Sequence, residues 1–386
     1  MSDLERSIDI LGDLIAFPTV SADSNLEMIA YLADRLGDIG AQVRLMQDPS
    51  GTKANLFATI GPEGDGGIVL SGHSDVVPAQ EPDWQGDPFT MRRADGRLYG
   101  RGSCDMKGFI AACMALAPEW AAAPLRRPLH LSFTYDEEVG CIGARHLVEE
   151  LKAANIRPAM AIIGEPTEMR IIEGHKGCCE YSTVFHGLEG HGSQPDLGVS
   201  AVEYASRYIA RLLDLREELQ TRAPAESPFD PPWSTLQIGR VEGGVAHNVI
   251  AGRCQVDWEM RPVTNEDREF VKERIDRYRD EVLLPAMRRV SPAAFIETLV
   301  IGEVEGLEPM PENEARHLVA ELTGANSADV VAFGTEAGLF QSMGMSAVLC
   351  GPGSIAQAHK ANEFVSLDEM RRCLDMLSGL GARLRA

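Results

Sequence analysis

The strongest constraint on the fold is a pattern that occurs three times: a short apolar run that breaks, at its carboxyl end, into histidine or carboxylate side chains. Ile68-Val69-Leu70-Ser71-Gly72 runs into His73-Ser74-Asp75, residues 129–135 run into Asp136-Glu137-Glu138, and residues 160–163 run into Gly164-Glu165-Pro166. Apolar runs of this length, bounded by turn residues, read as buried strands. Open α/β sheets bind their ligands beyond the carboxyl ends of their strands. The pattern therefore predicts an α/β domain that gathers its chemistry where several strands end.

Nitrogen and carboxylate ligands suit zinc and its neighbours, and two further positions extend the set. Asp105 follows the glycine-rich turn Gly100-Arg101-Gly102-Ser103-Cys104, ahead of a helical run from Lys107, and His359 lies toward the carboxyl end of the chain. Taken singly, each candidate has a plain structural reading: Asp in a glycine turn is commonly a helix cap, and Glu137-Glu138 suits a solvated loop. Taken together, one two-metal site accounts for His73, Asp105, Glu137, Glu138, Glu165 and His359 at once. A single carboxylate such as Asp105 can bridge two cations about 3.5–4 Å apart. Adjacent carboxylates in different environments separate into one ligand and one free base, which gives Glu137 and Glu138 different tasks. Asp75 is expected to hold His73 from behind and fix its tautomer.

A chain of 386 residues exceeds one ordinary domain, so two are expected. Leu4, Ile8, Leu11 and Ile15 recur at helical spacing behind a Ser2/Glu5 capping box. A helix over 26–36 and strands over 42–46 and 56–60 follow. Near Gly177 the pattern changes: a strand at 180–185, a helical face of Ala201, Tyr204, Ala205, Tyr208 and Leu212, strands at 234–241 and 253–260, a charged helix over 265–287 and a strand at 294–303. This βαββαβ order is a ferredoxin-like split unit that can fold as an insertion. The first domain then resumes with a helix over 314–322 and a strand at 347–349. The expected organisation is a discontinuous metal-binding domain, 1–177 with 307–386, interrupted by an inserted domain, 178–306.

The formal charge of −22 argues against nucleic acid and anionic membranes as partners. No apolar run is long enough to cross a bilayer. Eight cysteines without Cys-x-x-Cys spacing, and no export signal at the start, predict reduced thiols in a cytoplasmic protein.

Three motifs, Ser71-Gly72-His73-Ser74-Asp75-Val76-Val77-Pro78, Tyr99-Gly100-Arg101-Gly102-Ser103-Cys104-Asp105-Met106-Lys107-Gly108 and Thr134-Tyr135-Asp136-Glu137-Glu138-Val139-Gly140, occur in this order. With them the chain, from Ser71 to Phe364, resembles the binuclear zinc deacylases and exopeptidases, a family that holds acetylornithine deacetylases, succinyl-diaminopimelate desuccinylases, aminoacylases and glutamate carboxypeptidases. The resemblance implies a zinc-exopeptidase-like α/β mixed-sheet catalytic domain with an inserted lid and dimerisation domain. It implies two divalent ions, zinc with cobalt able to substitute: His73 and Glu165 on one, Glu138 and His359 on the other, Asp105 between them. Asp75 would orient, Glu137 would serve as general acid and base, and the Asp105–Met106 peptide would be cis.

Glu189-Gly190-His191-Gly192-Ser193-Gln194-Pro195 resembles the family's lid motif, which implies a homodimer in which His191 reaches the partner's substrate carbonyl. Asn248 and Arg261 resemble positions that clamp a substrate α-carboxylate, and Gly334, Thr335 and Glu336 a loop lining the substrate side chain. Within the family the resemblance is greatest to acetylornithine deacetylases, which implies hydrolysis of an N-acetyl amino acid as part of arginine synthesis. Glu336, or another acidic lining residue, is expected to pair with the substrate's terminal ammonium. A desuccinylase, another N-acyl amino acid deacylase, a dipeptidase or a carboxypeptidase is the alternative within the family. A metal-dependent binding protein without catalysis is the alternative outside it, but it predicts loss of Asp105, Glu137 or His191, all of which are present.

Overall fold

The structure, a computed structural model, describes residues 1–385. The chain divides into two compact units, one of Met1–Gly174, Pro309–Val330 and Thr335–Ala386, the other of His175–Glu308 with Val331–Gly334.

The first unit is built on an eight-stranded sheet in the order Gln42–Gln47, Ala54–Ile60, Leu129–Thr134, Ile68–His73, Met160–Pro166, Ser346–Gly351, Ile172–His175, Asp329–Val331. The first two strands pair antiparallel, and the four from Leu129–Thr134 to Ser346–Gly351 run parallel. The sheet is therefore mixed, as expected. Strands buried on both faces read as near-continuous apolar runs, and every residue of Ile68–His73, Leu129–Thr134 and Met160–Pro166 is buried. Register aligns their starts, Ile68 with Leu129 and with Met160. Parallel strands that start together end together, so the three polar motifs emerge side by side.

Helix Lys107–Ala121 is apolar almost all round and buries twelve of its residues, from Lys107 to Trp120. A helix of that composition belongs inside a core. Helix Asp3–Ala16 packs on it with Ile8, Leu11, Leu14 and Ile15 buried, and Ser2 caps it by accepting from Glu5 N. Lys107 closes the far end of that helix, donating from Nζ to Leu14 O at 3.0 Å and Phe17 O at 2.7 Å, which satisfies carbonyls a helix end leaves open. The helix Leu367–Arg385 goes beyond the sequence expectation; Met370, Leu374, Leu377, Leu380 and Leu384 form its buried face.

In the second unit Cys178–His186, Thr235–Gly243, Arg253–Arg261 and Phe295–Val304 form an antiparallel sheet, ordered second, third, first, fourth along the chain. That is the ferredoxin-like arrangement. Tyr208, Leu212 and Leu215 of helix Ala201–Thr221 and Val271 and Ile275 of helix Asn265–Tyr278 share one core with Phe185, Val256 and Trp258 of the sheet. The charged helix expected over 265–287 is not continuous: a π turn, Arg279–Leu283, precedes a short helix Leu284–Arg288. Pro285 has no N–H to give the ladder, and the turn before it widens.

The unit begins and ends slightly outside the expected 178–306. His175 N donates to Leu307 O at 3.0 Å and Gly177 N to Pro262 O at 2.8 Å, so the entering and leaving segments are stitched within it. Among the described residues no disulfide joins any of the eight cysteines, and no helix is long and apolar enough to cross a membrane.

Candidate metal centre

The site forms where the parallel strands end. His73 is the last residue of its strand and is 1% exposed. Its Nδ1 lies 2.9 Å from the backbone oxygen of Asp75, which can only accept, so Nδ1–H donates there. The carbonyl makes the closer contact because the chain turns after the strand, and the Asp75 carboxylate stands 3.6 Å from the same nitrogen. The carboxylate has other partners. Its Oδ1 accepts from Glu137 N at 3.0 Å, and its Oδ2 accepts from Glu138 N at 3.3 Å and Ser21 Oγ at 2.8 Å. Asp75 thus fixes the backbone on which Glu137 and Glu138 stand.

Asp105 is not a helix cap; the residue at that position is Met106, without a side-chain cap, and the Asp105–Met106 peptide is cis. Asp105 instead faces the strand ends, with Oδ1 at 3.0 Å from His73 Nε2 and Oδ2 at 3.4 Å from His359 Nε2. His359 Nε2 is 3.1 Å from Glu138 Oε1. His359, Asp136 and Cys141 all hold positive φ, at 60°, 52° and 53°, conformations that L residues rarely adopt outside special turns. Glu165 follows Gly164, where a Cβ would stand 1.9 Å from Phe109 Cγ. Only glycine lets this strand end lie on helix Lys107–Ala121, beside Asp105.

Two groups of potential ligands result: His73, Asp105 and Glu165, and Asp105, Glu138 and His359. Within each, one donor atom per residue lies within 4.8 Å of the others. Asp105 belongs to both. A shared carboxylate flanked by a histidine and a glutamate on each side is a donor set suited to two divalent ions.

The electrostatics fit cations too. Glu165 is 4% exposed and its Oε1 has no hydrogen-bond partner in the protein. Burial pushes the Glu165 carboxyl well up, and the charges of Asp105 and Glu137 push it further. Glu137 is pushed well up mainly by loss of solvent, with Glu138, Asp75 and Asp105 adding to it against His73. Burial opposes ionisation of Asp105 as well, but hydrogen bonds from His359 and His73 hold its carboxyl well below the usual range. His359 is pushed up to about 10 by its hydrogen bonds to Asp105 and Glu138. Carboxylates this crowded call for positive charge between them, and the unpartnered Glu165 oxygen points to a ligand the protein itself does not supply.

The remaining candidates belong to neither ligand group. Glu336 is 1% exposed, with Oε1 accepting from Ser71 Oγ at 2.5 Å and Oε2 from Thr134 Oγ1 at 2.7 Å. Both oxygens accept from hydroxyls of the strands Ile68–His73 and Leu129–Thr134. Gly334 and the buried Thr335 fall in different units. In the second unit, His191 is exposed, its Nδ1 2.7 Å from Ser193 Oγ, and it pairs with Val249 on a two-residue ladder. Asn248 is exposed beside it and receives Gly192 N on its backbone oxygen at 2.8 Å. Arg261 is half-buried and donates to Glu259 Oε2 from Nη2 at 2.9 Å. Sequence reasoning misses Ser21 under Asp75, Cys141, whose Sγ is 3.4 Å from Glu137 Oε1, and Glu363 behind Asp105. Of these only Glu363, four residues after His359, had a sequence signal to offer.

Comparison with known proteins agrees. Residues 69–382 match the family model described as peptidase family M20/M25/M40. The chain is 35% identical over 365 residues to an acetylornithine deacetylase of Shigella sonnei (strain Ss046), covering 93% of this chain and 92% of that one. It is 36% identical over 373 residues to an acetylornithine deacetylase of Myxococcus xanthus, covering 95% and 94%. Its fold is similar to that of a dinuclear metal-binding peptidase of the M20 family from Bacillus subtilis, with a TM-score of 0.64, 19% identity and coverage of 99% and 98%. The shared ligand and the matched length leave one reading: this chain is a hydrolase that belongs to peptidase family M20/M25/M40.

Proposed function

We propose that this chain removes the acetyl group of an N-acetylated amino acid, with N2-acetyl-L-ornithine as the substrate. The observation that carries the chemistry is Asp105 standing in both ligand groups with Glu137 beside them. The substrate rests on the two relatives that carry that activity as a name, at 35% and 36% identity.

His73 and Glu165 would hold one divalent ion, Glu138 and His359 the other, and Asp105 both. Zinc, with cobalt as a substitute, suits these donors; such ions polarise a carbonyl and make water acidic near neutral pH. Glu137, kept basic by its enclosure and by neighbouring carboxylates, accepts the proton of the attacking water and passes it to the departing amine nitrogen. Asp75 keeps Glu137 in place through its main-chain N–H. His191 is assigned to the acyl oxygen, where a donor stabilises the developing charge. Asn248 and Arg261 are assigned to the substrate carboxylate, which suits an Arg fork.

A homodimer through the second unit is part of this reading. Its support is the outer strand Phe295–Val304, where Phe295, Leu299, Val300 and Ile301 are exposed. An unpaired apolar edge of this kind is suited to a partner strand.

The test is turnover of the cobalt- or zinc-loaded protein on N2-acetyl-L-ornithine, N-succinyl-diaminopimelate, N-acetylmethionine and dipeptides. Preference for acetylornithine in kcat/KM is expected; preference for any other member overturns the substrate. Mixing Glu137→Ala with His191→Ala chains should restore part of the activity if His191 serves a partner copy.

A further inference from the structure

Four of the six backbone N–H groups in the turn 100–105, which carries Asp105, end on one residue the proposed chemistry does not use. Glu363 is 1% exposed. Its Oε2 accepts from Gly102 N at 3.0 Å and Arg101 Nη1 at 2.9 Å, and its Oε1 accepts from Cys104 N at 3.0 Å and Asp105 N at 3.2 Å. Its backbone oxygen accepts from Gly100 N at 3.0 Å. Arg101, also 1% exposed, spreads the grip further. Nη1 reaches Lys360 O at 3.4 Å, and Nη2 reaches Pro78 O at 3.0 Å and Glu81 Oε1 at 2.7 Å. Asn362 ties the same loops from the other side, donating to Asp83 O and accepting from Gln85 N, both at 2.8 Å.

Segments 78–85, 100–105 and 359–363 therefore meet at one buried ion pair. Two of the three carry ligand candidates, Asp105 and His359. Burying an ion pair is a poor way to gain stability, since apolar packing of the same volume does as well or better. What four converging N–H donors and a planar guanidinium do provide is a fixed direction for the backbone at Asp105 and after His359.

We infer that Glu363, acting with Arg101, is a positioning residue of the metal centre: it aims the shared ligand Asp105, and the turn bearing His359, before a cation arrives. This rests on the two-metal reading above. In Glu363→Gln one oxygen becomes an NH2 facing N–H donors, so two of the four contacts turn repulsive. Arg101→Lys keeps the charge and loses the fork.

The experiment titrates Co2+ into metal-stripped full-length protein against a chromophoric chelator, and records the melting temperature of each stripped variant. Glu363→Gln is expected to weaken Co2+ binding about 10- to 100-fold, with Arg101→Lys weakening it in the same direction by less. Asp267→Asn is the control. Asp267 is 2% exposed and paired with Arg222 Nε at 2.7 Å in the second unit, so it should lower the melting temperature and leave Co2+ affinity unchanged. If Glu363→Gln does not fold, Arg101→Lys and Glu363→Asp carry the comparison. Wild-type affinity in these variants, or equal weakening in Asp267→Asn, overturns the inference alone. Failure of the wild type to bind Co2+ overturns the two-metal reading with it.

Discussion

The two units hold their candidate residues in opposite ways. In the first, His73, Asp105 and Glu165 are buried, their backbones fixed from behind, and at least one carboxylate oxygen has no partner in the protein. In the second, His191 and Asn248 are exposed and Arg261 is paired with Glu259 at the surface. A cation accepts only a narrow geometry, which suits candidate ligands set in a core that cannot relax. The substrate contacts proposed for the second unit need groups that can exchange partners. A half-exposed pair such as Arg261–Glu259 is worth about 0–1 kcal/mol, so Arg261 can leave it for a carboxylate at little cost.

The largest effect expected from this contrast belongs to the first unit. Glu137→Ala should lower kcat by about 10²- to 10⁴-fold with metal content unchanged, since Glu137 is not in either ligand group. Loss of bound metal in parallel would erase the distinction between base and ligand. The second unit should respond more mildly. Arg261→Ala removes hydrogen bonds from a charged group, worth about 1.5–3 kcal/mol, so kcat/KM should fall roughly 10- to 100-fold, chiefly through KM. A variant that loses metal instead would show that Arg261 supports the centre rather than the substrate.

The smallest effect concerns stability alone. Burial lowers His130 in the first unit, and His175 in the second, to about 4. In the unfolded chain a histidine titrates near 6.5. Between these values the unfolded state binds a proton that the folded state refuses, so stability rises with pH across the window and is lost as pH falls from about 6.5 toward 4. Each group contributes up to about 3 kcal/mol. His130→Phe, which keeps the stacking on Phe57, should flatten part of the fall in urea midpoint between pH 7 and pH 4.5. Its remaining fall should track the second unit; an unaltered slope would mean His130 is not held neutral.

Much of the centre was legible because three of its motifs, those of His73, Glu137-Glu138 and Glu165, sit where a strand-like run stops, and strand ends are readable from apolar pattern. The order of elements in the second unit was legible for the same reason. Other features were not. His73 and Asp75 are two residues apart, but nothing in that spacing says that a carbonyl holds the ring while the carboxylate holds Glu137 and Glu138. Glu336 stands in a loop sequence that looks available to substrate, and only the sheet shows Ser71 and Thr134 waiting on either side of it. Arg101 and Glu363 are 262 positions apart, a separation no local pattern spans.

By itself the sequence determined which side chains could serve as ligands, which runs become strands, and that a βαββαβ unit interrupts the chain, because residue chemistry and periodicity are local properties. The tertiary structure alone decided that the Asp75 carboxylate holds the backbone of Glu137 and Glu138, that one glutamate oxygen is left without a partner and that Glu336 faces inward. Those facts depend on which strand ends lie side by side and on what each carboxylate meets there, and long-range packing fixes both.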